Sequence, residues 1–172
     1  IRTGFKDLDD RLAGFQKSDL IILAARPSMG KTSLALDIAR QTSTLYGTPV
    51  AVFSLEMSGQ QLVDRMIAAE SRVDAWQLRT GRLSMDTEFD RIRDSLDRLA
   101  KAPIFIDDQP GNNILKMRSV GRRLKRERGL GLIVVDYLQL MTPINTKNSD
   151  SAVQQVTELS RSLKHLAREL DV

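Results

Sequence analysis

Leu20-Ile21-Ile22-Leu23-Ala24-Ala25-Arg26-Pro27-Ser28-Met29-Gly30-Lys31-Thr32-Ser33 sets an apolar run, a short loop and a Gly-Lys-Thr helix start in direct succession. The run over residues 20–25 is continuously apolar, which predicts a strand covered on both faces, as in a parallel sheet. The loop reads G-x-x-x-x-G-K-[ST] with Ala25 in place of the first Gly, and a helix is predicted over 31–46 behind it. Phosphate binding needs that order. Backbone N–H groups of the loop and the positive helix end surround the anion, Lys31 neutralises β and γ oxygens, and Thr32 offers a hydroxyl to Mg²⁺. Arg26, Pro27, Ser28, Met29, Gly30, Lys31, Thr32 and Ser33 are therefore the candidate nucleotide-binding residues, Lys31 also being a candidate catalytic cation. Gly-Lys-Thr can equally open an ordinary capped helix; the strand before it and the apolar helix after it argue against that. Ala25 keeps a small residue at the turn, so binding is expected to survive the change.

Downstream, further strands are predicted over 49–55, 103–107 and 130–136, and helices over 58–72, 85–100, 113–128 and 151–170. Strand-like and helix-like stretches alternate, as they do in α/β folds with a mostly parallel sheet flanked by helices on both faces. In the last helix Val153, Val156, Leu159, Leu163, Leu166 and Leu170 recur at steps of three or four and make one stripe for the core. Residues 142–150 are polar and aperiodic and read as a loop.

A phosphate loop of this kind needs a second Mg²⁺ carboxylate at the end of another strand. Two candidates present themselves, Asp107 after Ile104-Phe105-Ile106 and Asp136 after Ile133-Val134-Val135. Each closes a buried apolar run, and either could simply cap a turn, so pattern alone leaves both open. Hydrolysis also needs a group to orient or deprotonate water. Glu56 is placed for that at the exit of the 49–55 strand, the end at which parallel sheets gather their functional groups, although a surface Glu at a strand-to-helix turn is the plainer reading.

A chain of 172 residues suits one domain, and its charge of +4 eases the approach of a polyanion without identifying one. Absence of Cys excludes disulfides and thiolate metal sites and suits a reducing cytoplasm. The longest apolar run, 20–25, is far below the roughly 18 residues of a membrane span, so no membrane partner is expected. The chain starts at Ile1 and stops after a helical pattern, which suggests a piece of a longer protein.

Other features invite weaker readings. The 113–128 helix carries Lys116, Arg118, Arg122, Arg123, Lys125, Arg126 and Arg128, which reads as a solvated face or subunit contact before it reads as a DNA site. His165 lacks a ligand cluster, Trp76 is expected to pack under Arg79-Thr80-Gly81, and Lys147 in the 142–150 loop is a candidate DNA-phosphate contact.

Ile1-Arg2-Thr3-Gly4-Phe5, Leu8-Asp9, the phosphate loop, Ser54-Leu55-Glu56-Met57, Arg79-Thr80-Gly81, Asp136-Tyr137-Leu138-Gln139-Leu140 and Ser160-Arg161-Ser162-Leu163-Lys164 together resemble the motor domain of the DnaB-type replicative helicases. The resemblance runs almost end to end, and Ala25 is normal within it. It implies a RecA-like P-loop ATPase that spends ATP with Mg²⁺ to move on single-stranded DNA and unwind duplex at the replication fork. It assigns the second Mg²⁺ carboxylate to Asp136 and the catalytic carboxylate to Glu56. It further implies a homo-hexamer with ATP between neighbours, primase and helicase-loader partners, and an arginine finger, sensor strand and main DNA-binding loops that lie beyond Val172. The alternative is a RecA-like nucleotide-gated binding module with little hydrolysis; a phosphotransferase is disfavoured because such an enzyme need not hold a carboxylate against water.

Overall fold

The computed structural model describes residues 1–26, 28–83, 86–111, 113–136 and 152–172, with only the backbone for 152 and 153. Strands β1 (Val50–Ser54), β2 (Ile104–Asp107) and β3 (Leu132–Asp136) form a parallel sheet in the order β2-β1-β3. Val50 lies opposite both Ile104 and Leu132, and Ser54 lies opposite Asp136, so the ends of β1 and β3 coincide.

Central β1 is buried at every position, and the pleat sends its side chains alternately to two cores. Ala51 and Phe53 enter one built with Met117 and Leu124 of α6 (Ile114–Arg128) and Leu159, Leu163 and Leu166 of α7 (Ala152–Leu170). Val50 and Val52 enter the other, with Leu36 and Ala39 of α2 (Lys31–Tyr46) and Leu62 and Met66 of α3 (Gly59–Ser71). Helices thus cover both faces, as the sequence predicts.

Two short helices, α1 (Lys6–Leu12) and α4 (Ala75–Thr80), were not expected, and α5 (Asp86–Lys101) completes the set. Local chemistry marks the boundaries. Ser58 and Gln61 exchange side-chain and backbone hydrogen bonds in a capping box at the start of α3. The Asp74 carboxylate accepts from Trp76 N–H at 2.7 Å to start α4, and the Asn113 side chain accepts from Lys116 N–H at 3.0 Å to start α6.

One expectation fails: residues 20–25 form no strand. Ile21, Ile22 and Leu23 are 48%, 65% and 41% exposed. A strand exists only through ladder hydrogen bonds, and β3, at the sheet's edge, does not pair with this segment. The segment is anchored just upstream instead, where Ser18 N–H donates to the Val172 carbonyl at 3.0 Å and Lys164 Nζ donates to the Ser18 carbonyl at 2.8 Å. Trp76 also departs from its expected packing role. It is 52% exposed, with the Arg82 guanidinium 5.7 Å from its ring centroid.

The basic α6 is largely tied up within the fold. Arg118 and Arg122 both pair with Glu169 of α7, Lys116 lies 3.7 Å from Asp107, and Lys125 Nζ donates to the Leu130 and Asp171 carbonyls. His165 stands on the polar face of α7, its side chain 74% exposed. Lys147 lies outside the described residues.

Candidate nucleotide site

The loop before α2 closes through a Met29 N–H to Arg26 carbonyl hydrogen bond of 3.3 Å, and Gly30, in the left-handed region at φ 82°, turns the chain into the helix. That conformation strains any residue with a Cβ, which is why Gly occupies it. Leu34 N–H donates to the Gly30 carbonyl at 2.9 Å, starting the helical ladder, and the first turn of α2 carries no acidic side chain. The positive end of the helix dipole is therefore left facing outward, un-neutralised by its own first turn. Arg26, Ser28, Met29, Gly30 and Ser33 are exposed, and Lys31 and Thr32 are half-buried. Pro27 lies outside the described residues.

Thr32 and Asp136 meet. The Thr32 hydroxyl donates to Asp136 Oδ2 at 2.8 Å, and Lys31 Nζ lies 4.0 Å from Asp136 Oδ1. The Asp136 side chain is 7% exposed while that of Lys31 is 33% exposed, so the carboxylate forms the floor of the site and the ammonium its wall. Asp107, the other strand-end candidate, lies opposite Phe53 on β2, with β1 between it and β3. There its Oδ1 accepts from Gln109 N–H at 3.1 Å, the turn-capping role its plainer reading gives.

Glu56 follows directly on the aligned ends of β1 and β3, where Leu55 N–H donates to the Asp136 carbonyl at 2.8 Å. Leu55 packs on the α6–α7 side of the sheet and Met57 on the α2–α3 side. Glu56 lies between them and is exposed at the carboxyl end of the sheet.

Two polar groups here were missed by reading the sequence. The Ser54 hydroxyl bonds both backbone groups of Met57, and Asp108 Oδ2 accepts from Gly59 N–H at 2.6 Å at the head of α3. A Ser closing an apolar strand run was the one available signal for Ser54. Among the described residues no group of three or more His, Cys, Asp or Glu is placed to hold a metal ion.

A parallel sheet with helices on both faces, and a loop-to-helix junction that brings Lys and Thr to a carboxylate at a strand end, define a nucleotide-binding domain of the RecA-like class. The family model for the DnaB-like helicase C-terminal domain matches residues 1–172, and this chain belongs to that family. It is 50% identical to the replicative DNA helicase DnaB of Geobacillus stearothermophilus and 48% identical to the replicative DNA helicase DnaC of Bacillus subtilis. Each match covers the whole of this chain and 37% of the relative, so the chain spans little more than a third of their length. Among solved structures, a protein described as an ATPase domain superposes with a TM-score of 0.92 at 32% identity, covering all of this chain and 61% of that one. A DnaB-like replicative helicase, described with its interactions with primase, superposes with the same TM-score and identity and is covered over 41% of its length. Among the described residues no helix is long and apolar enough to cross a membrane.

Proposed function

We propose that this domain binds ATP with Mg²⁺ and hydrolyses it to drive movement along single-stranded DNA, as the motor of a replicative helicase acting in the cytoplasm. The observation that carries the reading is the meeting of Thr32 with Asp136 at 2.8 Å beside Lys31, at the open end of α2. Two hard oxygens side by side, one of them anionic, suit Mg²⁺, which keeps several waters and is usually held by one or two carboxylates together with substrate phosphates. Thr32 and Asp136 would hold the ion, which would supply neutralisation of the charge on the β and γ oxygens.

The chain's own residues have separate tasks. Backbone N–H groups of the loop and the α2 terminus orient the phosphates, and Lys31 adds a point charge at the β and γ oxygens. Glu56 accepts a proton from the attacking water and directs it in line with the γ-phosphorus. The names of the replicative relatives support the helicase assignment, and the neighbour described with primase supports a primase partner. A hexamer with ATP between subunits, a helicase loader and an arginine finger from the adjoining subunit belong to the same reading. So does a further strand, contributed from outside the described residues, between β3 and residues 20–25.

The test is steady-state ATP turnover of the full-length protein with and without single-stranded DNA. A DNA-stimulated rate is expected. Nucleotide-dependent DNA binding with turnover that DNA leaves unchanged would point to a nucleotide-gated binding module and overturn the motor reading.

A further inference from the structure

We propose that Ser54 is a positioning residue for hydrolysis, its hydroxyl fixing the turn that aims Glu56; this rests on the reading of Glu56 as the group that activates water. Ser54 closes β1 and is 1% exposed, a hydroxyl at the end of a strand whose other four residues are Val, Ala, Val and Phe. Burying a hydroxyl is costly unless it is bonded, and this one is bonded on both sides. It donates to the Met57 carbonyl at 2.7 Å and accepts from Met57 N–H at 3.1 Å. One side chain therefore satisfies both backbone groups of the residue after Glu56 and closes residues 54–57 into a ring.

The ring is held from outside on both strands of chain that leave it. Upstream, Ser54 pairs with Asp136 in the sheet and Leu55 N–H donates to the Asp136 carbonyl at 2.8 Å. Downstream, Ser58 opens α3 in a capping box, and Asp108 holds Gly59 N–H at 2.6 Å. Leu55 and Met57 are pinned in opposite cores. Of the residues in the turn, Glu56 alone is exposed, and with the backbone fixed on either side its carboxylate can sweep only through its own side-chain torsions. The tie to Asp136 matters most. It registers the turn against the strand end that carries the Thr32 and Lys31 contacts, so an error in the ring is an error in the distance from Glu56 to the phosphate site.

Ser54→Ala removes both bonds and leaves Met57 N–H and C=O without their partner, while taking away one atom of volume. The backbone at 56 then relaxes, and turnover is expected to fall roughly 10- to 100-fold, as small misplacements of catalytic groups do. Nucleotide affinity is expected to stay within about twofold, because Lys31, Thr32 and the loop are untouched. Ser54→Cys keeps the volume with a much weaker donor and acceptor and is expected to lie between wild type and Ser54→Ala.

The discriminating experiment is a double-mutant cycle in the full-length protein, with single-turnover ATP hydrolysis, nucleotide Kd and thermal unfolding measured for S54A, E56Q, S54A/E56Q and S54C. If Ser54 acts through Glu56, S54A slows the wild type but leaves E56Q no slower than it already is. Additive losses, or an S54A protein that hydrolyses at the wild-type rate, overturn the positioning role. Loss of rate together with weakened nucleotide binding in both S54A and S54C assigns Ser54 to general stability and also overturns it, whereas a lowered Tm alone is the expected cost of the two lost bonds. If E56Q itself hydrolyses normally, the reading of Glu56 fails first, and the two failures are told apart by that single variant.

Discussion

Lys31 and Asp136 face each other at 4.0 Å, one half-buried in the wall of the site and one in its floor, and the two respond differently to substitution. Lys31→Ala removes a charge from the wall and no core atom. Nucleotide affinity is expected to fall about 10- to 100-fold, the worth of a charged hydrogen bond, with Tm nearly unchanged. Titration of a fluorescent nucleotide beside a thermal melt checks both, and an unfolded variant or one of unaltered affinity contradicts the assignment. Asp136→Asn keeps the shape but loses the anion, so Mg²⁺-dependent turnover should drop at least about 100-fold, a loss of roughly 2.7 kcal/mol of transition-state stabilisation. Asp107→Asn, whose carboxylate accepts from Gln109 N–H on the far side of β1, should keep most of it. A rate assay over a Mg²⁺ titration compares the two, and a larger loss from Asp107→Asn would reverse the choice between them. That choice was not legible in the pattern of residues, because Ile-Phe-Ile-Asp and Ile-Val-Val-Asp are the same signal. What separates them is which strand ends beside Thr32, a property of pairing order.

Among the elements, the three formed strands and the long helices fall within two residues of where apolar periodicity puts them. Those stretches meet their own partners in the described fold, so local pattern and tertiary environment agree. Residues 20–25 have the same apolar character yet stay unpaired, since a strand's hydrogen bonds come from a neighbour and no run of residues encodes them alone. The short α1 and α4 escaped notice for the opposite reason: each is too brief to show a period. The local cues were confined to their ends: Asp74 and Gly81 cap α4, and α1 carries Asp7 and Asp9 in its first turn and Arg11 in its last. Packing between α6 and α7 was likewise invisible in sequence, though Gly121 marks it. A Cβ there would come within 2.7 Å of Leu170 Cδ1, in a core where Leu170 is 5% exposed. Gly121→Leu is expected to force the two helices apart and to cost about 1–3 kcal/mol. Denaturant unfolding reads that loss, and an unchanged midpoint would mean that the helices slide freely. Because Thr32 and Lys31 reach Asp136 from α2, on the opposite face of the sheet from these helices, nucleotide affinity should change little in the same variant.

Across the molecule as a whole, the described residues leave an apolar stretch facing solvent. Among the described residues Ile21, Ile22 and Leu23 are exposed, and β3, which ends in the site's own carboxylate, pairs on one side only, with β1. An apolar segment and an open parallel edge invite pairing with another chain. On the proposed reading a further strand fills that space and an arginine from the adjoining subunit completes the site, neither being supplied by the residues described. An arginine finger contributes roughly 10³–10⁵ in rate for phosphoryl transfer, or about 4–7 kcal/mol of transition-state stabilisation. On that same reading Thr32, Lys31, Asp136 and Glu56 position and neutralise, and the far side of the γ-phosphate is left to the neighbour. The 172-residue chain is therefore expected to hydrolyse ATP at least about 10³-fold more slowly than the assembled full-length protein, with no stimulation by single-stranded DNA. It is also expected to associate in a concentration-dependent way through its open edge. Turnover of the two proteins side by side, with and without single-stranded DNA, and light scattering of the short chain over a dilution series measure both effects. Comparable DNA-stimulated rates would mean that these residues hold a complete catalytic site. A short chain that stays monomeric on concentration would mean that the exposed Ile21-Ile22-Leu23 face is compatible with solvent as it stands.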